Sequence, residues 1–263
     1  MDKRKQLLNL YCKISNMRQN IRYHLNYRNV KFYAKKNFEL KNKHQGERCF
    51  ILGNGPSLKE MDLTKIQNEI IFAVNFFAKS YLFPQICPTY YCIIDGAFMK
   101  EEHIDDLKYI IRSIDSNLLL EHSVIEALKA FDITNKKIHY SYSLLTQYGE
   151  STCYDFTKIA TGSINVICHC IKWALFMGFS EIYLLGCDFN QFARPVQGHF
   201  YNSKPAHESS SYVRGNDLMY SSQALFDHYA LEKESRKINV RIFNATPDSL
   251  IDAYETIDYN SIF

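Results

Sequence analysis

The sequence predicts an α/β protein with a mainly parallel sheet covered by helices on both faces. Three observations carry that expectation. Short apolar runs bounded by turn residues recur along the body, the pattern of strands buried on both sides. Stretches with helical spacing separate them. Several of the runs end on Gly, Asn or Asp, where ligands of such folds bind beyond the carboxyl ends of the strands. The chain has 263 residues with a formal net charge of +3, enough for one large domain or a domain with an appendage. Ten Gly and six Pro exclude collagen-like and broadly disordered chains. No run approaches the ~20 apolar residues of a membrane span. The basic start lacks a long apolar region and a small-residue cleavage site, so no secretory signal is expected.

Taken in order, CFILGN (49–54) reads as a buried strand. The following GNGPSLKE opens a helix, with Ser57 and Glu60 at capping-box spacing. IIFAVN (70–75) and YYCIID (90–95) are the next strands. Residues 98–113 read as helix, LLLE (118–121) as strand, 123–130 as helix and KIHYSYS (137–143) as strand. After Thr161-Gly162-Ser163 comes a longer helix with Ile164, Ile167, Ile171 and Leu175 on one face. Val166, Cys170, Trp173 and Met177 cover much of the rest, so it is expected to be buried nearly all round, with Gly178 as its stop. EIYLLGCD (181–188) is a strand, 189–217 an irregular lid, 218–237 a helix, VRIFNA (240–245) a strand and SLIDAY (249–254) a terminal helix. Most of the eight cysteines sit inside apolar runs and no CxxC pair occurs. Reduced core thiols are expected, and no zinc site.

Charge divides the chain. Residues 1–48 hold 13 Lys/Arg against 3 Asp/Glu, a net of +10, leaving 18 against 25, a net of −7, for the remainder. Residues 1–47 therefore form a basic helical segment, and 48–263 the α/β domain. A basic leader on an acidic body implies a polyanionic partner. Leu7, Leu8, Tyr11 and Ile14 make an apolar helical stripe among Lys and Arg. That stripe suits either an anionic membrane surface reached through residues 1–48, or packing on the chain's own body or a second copy. No nucleic-acid motif accompanies the charge. The expected location is the cytoplasm, peripheral to the inner face of the cell membrane.

The strand ends bring chemistry together. Gly53-Asn54-Gly55 offers close backbone approach to a ligand, and free amides at a helix start attract an anion. It is neither G-x-G-x-x-G nor a P-loop. Asn75, Asp95, Gly186 and Asp188 stand at other strand ends. Thr161, Gly162 and Ser163 either form a second anion or ribose site or simply cap the helix. Asp188 suits a metal ligand, a ribose or base contact, or a cap; no DxD pair occurs. In the lid, His199 is the candidate general base, with His207 next, because a histidine titrates near neutrality. Tyr201 and Tyr212 are candidate phosphate donors, and Arg194 and Arg214 candidate charge partners for an acidic ligand.

The ordered set GNGPSL, VNFF, TGSINVICHCIKWALFMGFSEIYLLGCDFNQF and NATPDSLIDAY resembles the bacterial lipooligosaccharide sialyltransferases that use CMP-sialic acid, and related capsule and O-antigen proteins. The resemblance covers roughly residues 48–255, with gaps. It implies a GT-A-like, Rossmann-related nucleotide-sugar domain and inverting sialyl transfer without a metal or other cofactor. It implies nucleotide contacts from Asn54, Asn75, Thr161, Gly162, Ser163, Gly186 and Asp188, a lid histidine as base and tyrosines on the leaving phosphate. The partners would be the donor, a glycan or lipid-linked glycan acceptor, and further copies of the chain in a homo-oligomer. The sequence departs from that pattern at Ile159, where the family has Arg, and at Asn190, where it has a phosphate-binding Tyr. With these departures the donor is CMP-sialic acid, another CMP-activated acidic sugar, or another nucleotide sugar.

Two rivals share these features. The GNGPSL group also includes archaeal pterin pyrophosphokinases, whose chemistry needs ATP and Mg²⁺ and would enlist Asp95 and Asp188. A non-catalytic nucleotide-binding module at a membrane surface would use the basic segment and transfer nothing.

Overall fold

A computed structural model describes residues 3–25, 27–95, 98, 103–130, 137–146, 152–193, 196–199, 202–205 and 213–263. Helices α1 (Lys3–Leu25) and α2 (Tyr27–Lys36) lead into strands β1 (Arg48–Leu52), β2 (Ile70–Val74) and β3 (Tyr90–Ile93). Then follow α3 (Ile104–Ser113), β4 (Asn117–Glu121), α4 (Ile125–Ala130), β5 (Ile138–Ser141), β6 (Ser143–Leu145) and β7 (Ala160–Thr161). The second half holds α5 (Val166–Met177), β8 (Glu181–Leu185), β9 (Val196–His199), β10 (Asn202–Pro205), α6 (Val213–Lys237), β11 (Arg241–Asn244) and β12 (Glu255–Thr256).

Eight strands form one sheet in the order β12-β11-β8-β1-β2-β3-β4-β5, and every pairing in it is parallel. Side chains alternate between two cores, as a strand's period of two requires. Cys49 and Ile51 of β1 join α5 and the inner side of α6. Phe50 and Leu52 join α3 and the other face. The expected α/β class is the observed one. The apolar wrap expected for α5 is also observed: Ile167 through Met177 are all buried, and Gly178 ends the helix at φ 86°. The eight cysteines are free, and five of them, including Cys168, Cys170 and Cys187, are buried.

The chain also runs differently from expectation. Residues 56–60 form a 3₁₀ turn and carry no capping box; Ser57 donates instead to a carboxylate in the turn after the adjacent strand β8. SLIDAY is not helical. Ser249 Oγ donates to Cys187 O at 2.7 Å and Leu250 N donates to Asp188 O at 3.0 Å, which pins the segment across the tip of β8. Local side-chain bonds of this kind compete with a helix. The stretch 189–217 is less irregular than expected: β9 and β10 pair antiparallel, and α6 begins at Val213 rather than near 218.

The basic segment lies against the edge of the sheet. Asn16 pairs with the Thr146 backbone through Asn16 Nδ2→Thr146 O at 2.9 Å and Thr146 N→Asn16 Oδ1 at 2.6 Å. Tyr33 meets Tyr140 edge-on at 5.1 Å. Buried Asn37 donates to Tyr140 O at 2.9 Å and to Phe156 O at 2.8 Å. Among the described residues no helix is long and apolar enough to cross a membrane.

Candidate functional site

The chain enters the sheet at β1, works outward to β5 on one side, and returns at β8 on the other side of β1. The strand order thus reverses between β1 and β8. A crevice opens at the carboxyl ends of strands that diverge in this way. The turn after β1 and the turn after β8 meet there. Gly53 N donates to Leu185 O at 2.7 Å and Gly55 N to Gly186 O at 2.8 Å. A Cβ on Gly53 would collide with Gly186 O, and one on Gly55 with Asp188 Oδ2. These glycines allow the close approach of one turn to the other, a role the sequence did not suggest. Gly186 itself stands at φ 65°, with Leu58 packed where its side chain would be, a conformation that suits glycine.

Asp188 is buried and accepts from Ser57 Oγ at 2.7 Å and from Ser57 N at 3.3 Å. Its carboxylate ties the β8 turn to the start of the 3₁₀ turn after β1. Beside it, Cys187 N donates to Thr246 Oγ1 at 3.0 Å. Burial pushes the Cys187 thiol well up, which favours its protonated form.

Asn54 and Asn75 flank the end of β2. Asn54 Nδ2 donates to Val74 O at 3.3 Å. Asn75 adopts φ 45° and its carbonyl accepts from Tyr91 OH at 2.6 Å. The Oδ1 atoms of both are buried and accept no hydrogen bond. A buried acceptor without a donor costs free energy unless something fills it. Phe189 holds φ 56°, an uncommon backbone for a bulky side chain and the sort of strain found at functional sites.

These residues line one cleft of about 290 Å³, at the small end of the ~300–1,000 Å³ typical of ligand sites. Gly53, Asn54, Gly55, Asn75, Gly186, Asp188 and Asn190 all border it, as expected. Thr161, Gly162, Ser163 and Asp95 do not. Helix α5 is capped by Asn165, whose side chain accepts from Ile167 N at 2.7 Å, and Ile164 through Ile167 reach the cleft instead. The Thr-Gly-Ser turn is held by fully buried Lys172. Its Nζ donates to Thr161 O at 3.2 Å, Gly162 O at 2.9 Å and Ser163 Oγ at 2.8 Å. Thr161 Oγ1 accepts from Cys153 N at 2.8 Å. Asn165, not this turn, caps α5, and the turn's two carbonyls and the Thr161 hydroxyl are held internally. Burial lowers the Lys172 pKa, and Asp227 opposes the shift. Asp95 is exposed at the edge of β3.

Sequence reasoning missed the third wall. Asp217, Tyr220, Ser221 and Ala224 of α6 line the cleft, and their spacing of three, four and seven marks one helical face. That stripe was legible, but starting the helix at 218 placed Asp217 in the lid. Of the lid candidates, Arg194, Tyr201, His207 and Tyr212 lie outside the described residues, as does the Arg214 side chain. For His199 the backbone is described, paired with Asn202 in the β9–β10 hairpin, and its side chain is outside the description. Among the described lining residues there are two carboxylates, Asp188 and Asp217, and no Lys, Arg or His. Among the described residues no cluster of three metal-ligating side chains occurs.

Fold and site together define a doubly wound α/β protein with its cleft at the switch point. The chain belongs to the MptE-like family, described as 6-hydroxymethylpterin diphosphokinase MptE-like, whose family model matches residues 23–192. This is the group in which the GNGPSL motif also placed the pterin pyrophosphokinases. The structure of the MAf glycosyltransferase from Magnetospirillum magneticum AMB-1 is similar in fold, with a TM-score of 0.52 and 15% sequence identity. The likeness covers 89% of this chain but 38% of that one, so the chain spans well under half of that protein's length. No curated protein sequence matches the chain.

Proposed function

We propose that the chain is a glycosyltransferase that moves sialic acid, or a related acidic sugar, from a CMP donor to a cell-surface or lipid-linked glycan. One observation carries this reading: the polar side chains among the described residues of the switch-point cleft are amides, hydroxyls and two carboxylates set in an apolar wall, with no cation among them. A nucleotide with a single phosphate can be held there by hydrogen bonds and by the amino end of α5. The orphaned Oδ1 atoms of Asn54 and Asn75 suit the hydroxyls of a ribose or the exocyclic amine of a cytosine. The sugar and acceptor would extend toward the lid. His199 would take the proton of the acceptor hydroxyl as that oxygen bonds to the anomeric carbon. The anomeric carbon–oxygen bond to phosphate breaks on the opposite face, and CMP leaves with the electron pair. Fold similarity to a glycosyltransferase adds support at the level of architecture only.

The family match favours a second reading, an Mg²⁺-ATP-dependent diphosphokinase. A triphosphate facing Asp188 and Asp217 would require a divalent cation to offset the repulsion. The donor set for that ion is thin, because Asp188 already accepts twice from Ser57.

Thermal shift with CMP, CDP, UDP, GDP and ATP, each with Mg²⁺ or with EDTA, separates the two. The transferase reading expects stabilisation by CMP in EDTA, lost in Asn54→Ala. It expects His199→Ala to bind CMP yet transfer no sugar. Stabilisation by ATP only in the presence of Mg²⁺ would overturn it in favour of the diphosphokinase.

A further inference from the structure

Helix α1 is turned inside out relative to an ordinary surface helix. The side it lays on the body is largely polar: Ser15 and Asn16 bond to Thr146, and of its aromatic residues Tyr23 is the one buried. The side facing away carries Leu7, Leu10, Ile14, Met17, Ile21 and Leu25, all exposed; Leu7 is 67%, Met17 60% and Leu25 80% accessible. With Tyr11 they occupy roughly a 120° arc at 100° per residue. The inner face makes its contacts with the body, through Ser15, Asn16 and buried Tyr23, without them, so the fold gives this ribbon no work.

Charge says what covers it. The helix contains six Lys/Arg and no Asp or Glu. Lys13 and Arg22 fall on either side of the arc and Arg18 within it, where a long stem can lie along apolar surface with its head in the water. Leu7, Leu10, Ile14, Met17 and Ile21 also satisfy an a/d heptad seam, but a self-paired helix of this sequence would bring together cations with no opposite charge to meet. An anionic surface with an apolar interior satisfies both features at once.

We propose that the outward face of α1 docks on an anionic lipid surface, with the apolar ribbon seated at the headgroup–acyl boundary and the basic side chains on the headgroups. The docking is independent of the transfer chemistry. It leaves the inner, polar side of α1 on the body, so binding needs no unfolding of the segment.

Co-sedimentation of the full chain with vesicles tests this, using phosphatidylcholine alone or phosphatidylcholine with phosphatidylglycerol. Binding is expected to the anionic vesicles only and to weaken as salt rises. The double variant Ile14→Glu/Met17→Glu should bind about tenfold less or weaker still, with an unchanged melting temperature because both side chains are exposed. If that variant misfolds, Ile14→Ser/Met17→Ser replaces it with the same readout. Equal binding to neutral vesicles, no binding at all, or binding unaffected by either variant overturns the proposal. So does a lipid-free dimer, seen by light scattering, that both variants dissociate; the face would then join two copies of the chain.

Discussion

At the scale of single residues the site is a contact between two turns, and the ligand space is what that contact leaves open. Gly55→Ala is the sharpest probe. Its methyl group would meet Asp188 Oδ2 and stand 2.6 Å from Gly186 O, and neither the backbone nor a carboxylate bonded to Ser57 can easily yield. Overpacking of this kind costs about 2–3 kcal/mol; urea denaturation should show that loss, and on the proposed reading a CMP titration should show weakened binding. Ser57→Ala removes one donor to a buried carboxylate and should cost about 1–3 kcal/mol by the same measurement. The sequence disclosed which residues stand at this corner, since glycine and aspartate at strand ends are visible in one dimension. It did not disclose their division of labour. Gly53 and Gly55 face a neighbouring turn more than a hundred positions away in the chain, and such proximity has no local signature.

At the scale of elements, α5 and α6 shape the cleft from above. The apolar wrap of α5 was readable, whereas its first turn was misplaced because hydroxyl residues at a helix start usually cap it. Here Asn165 caps, and buried Lys172 draws the preceding carbonyls toward itself. Lys172→Met should destabilise by roughly 2–4 kcal/mol, since it strands buried acceptors, and should loosen the turn that positions Ile164 to Ile167. Tyr220→Ala belongs to the exposed wall of α6 and should lower affinity for CMP in a titration while leaving the melting temperature within about 1–2 °C of the parent. The terminal helix expected at 249–254 failed for a related reason: apolar spacing suggested it, but Ser249 and the β8 tip captured the backbone.

At the scale of the whole molecule, burial holds three histidines well below their ordinary pKa of 6.5: His139 and His228 at about 3, and His169 at about 4. Desolvation is the main cause in each, joined by nearby lysines, with Glu121 pulling the other way at His169. Each is neutral in the folded state and gains a proton more readily when unfolded. Stability is therefore full above pH 6.5 and is lost as pH falls from there toward about 4 and then 3. Calorimetry between pH 7 and pH 5 should show the melting temperature drop by roughly 5–10 °C. His139→Gln with His228→Asn should flatten that dependence.

The sheet order has one more consequence. Ser57 and Asp188 lie 131 positions apart in the chain, and β8 inserts beside β1 only after four other strands of the sheet, β2 to β5, have been made. While the ribosome is still emitting those intervening residues, the flank of β1 that will receive β8 has no partner. Synthesis must run past Asp188 before the two halves of the pocket can meet, so a truncated translation product would keep many of its strands and yet lack the cleft.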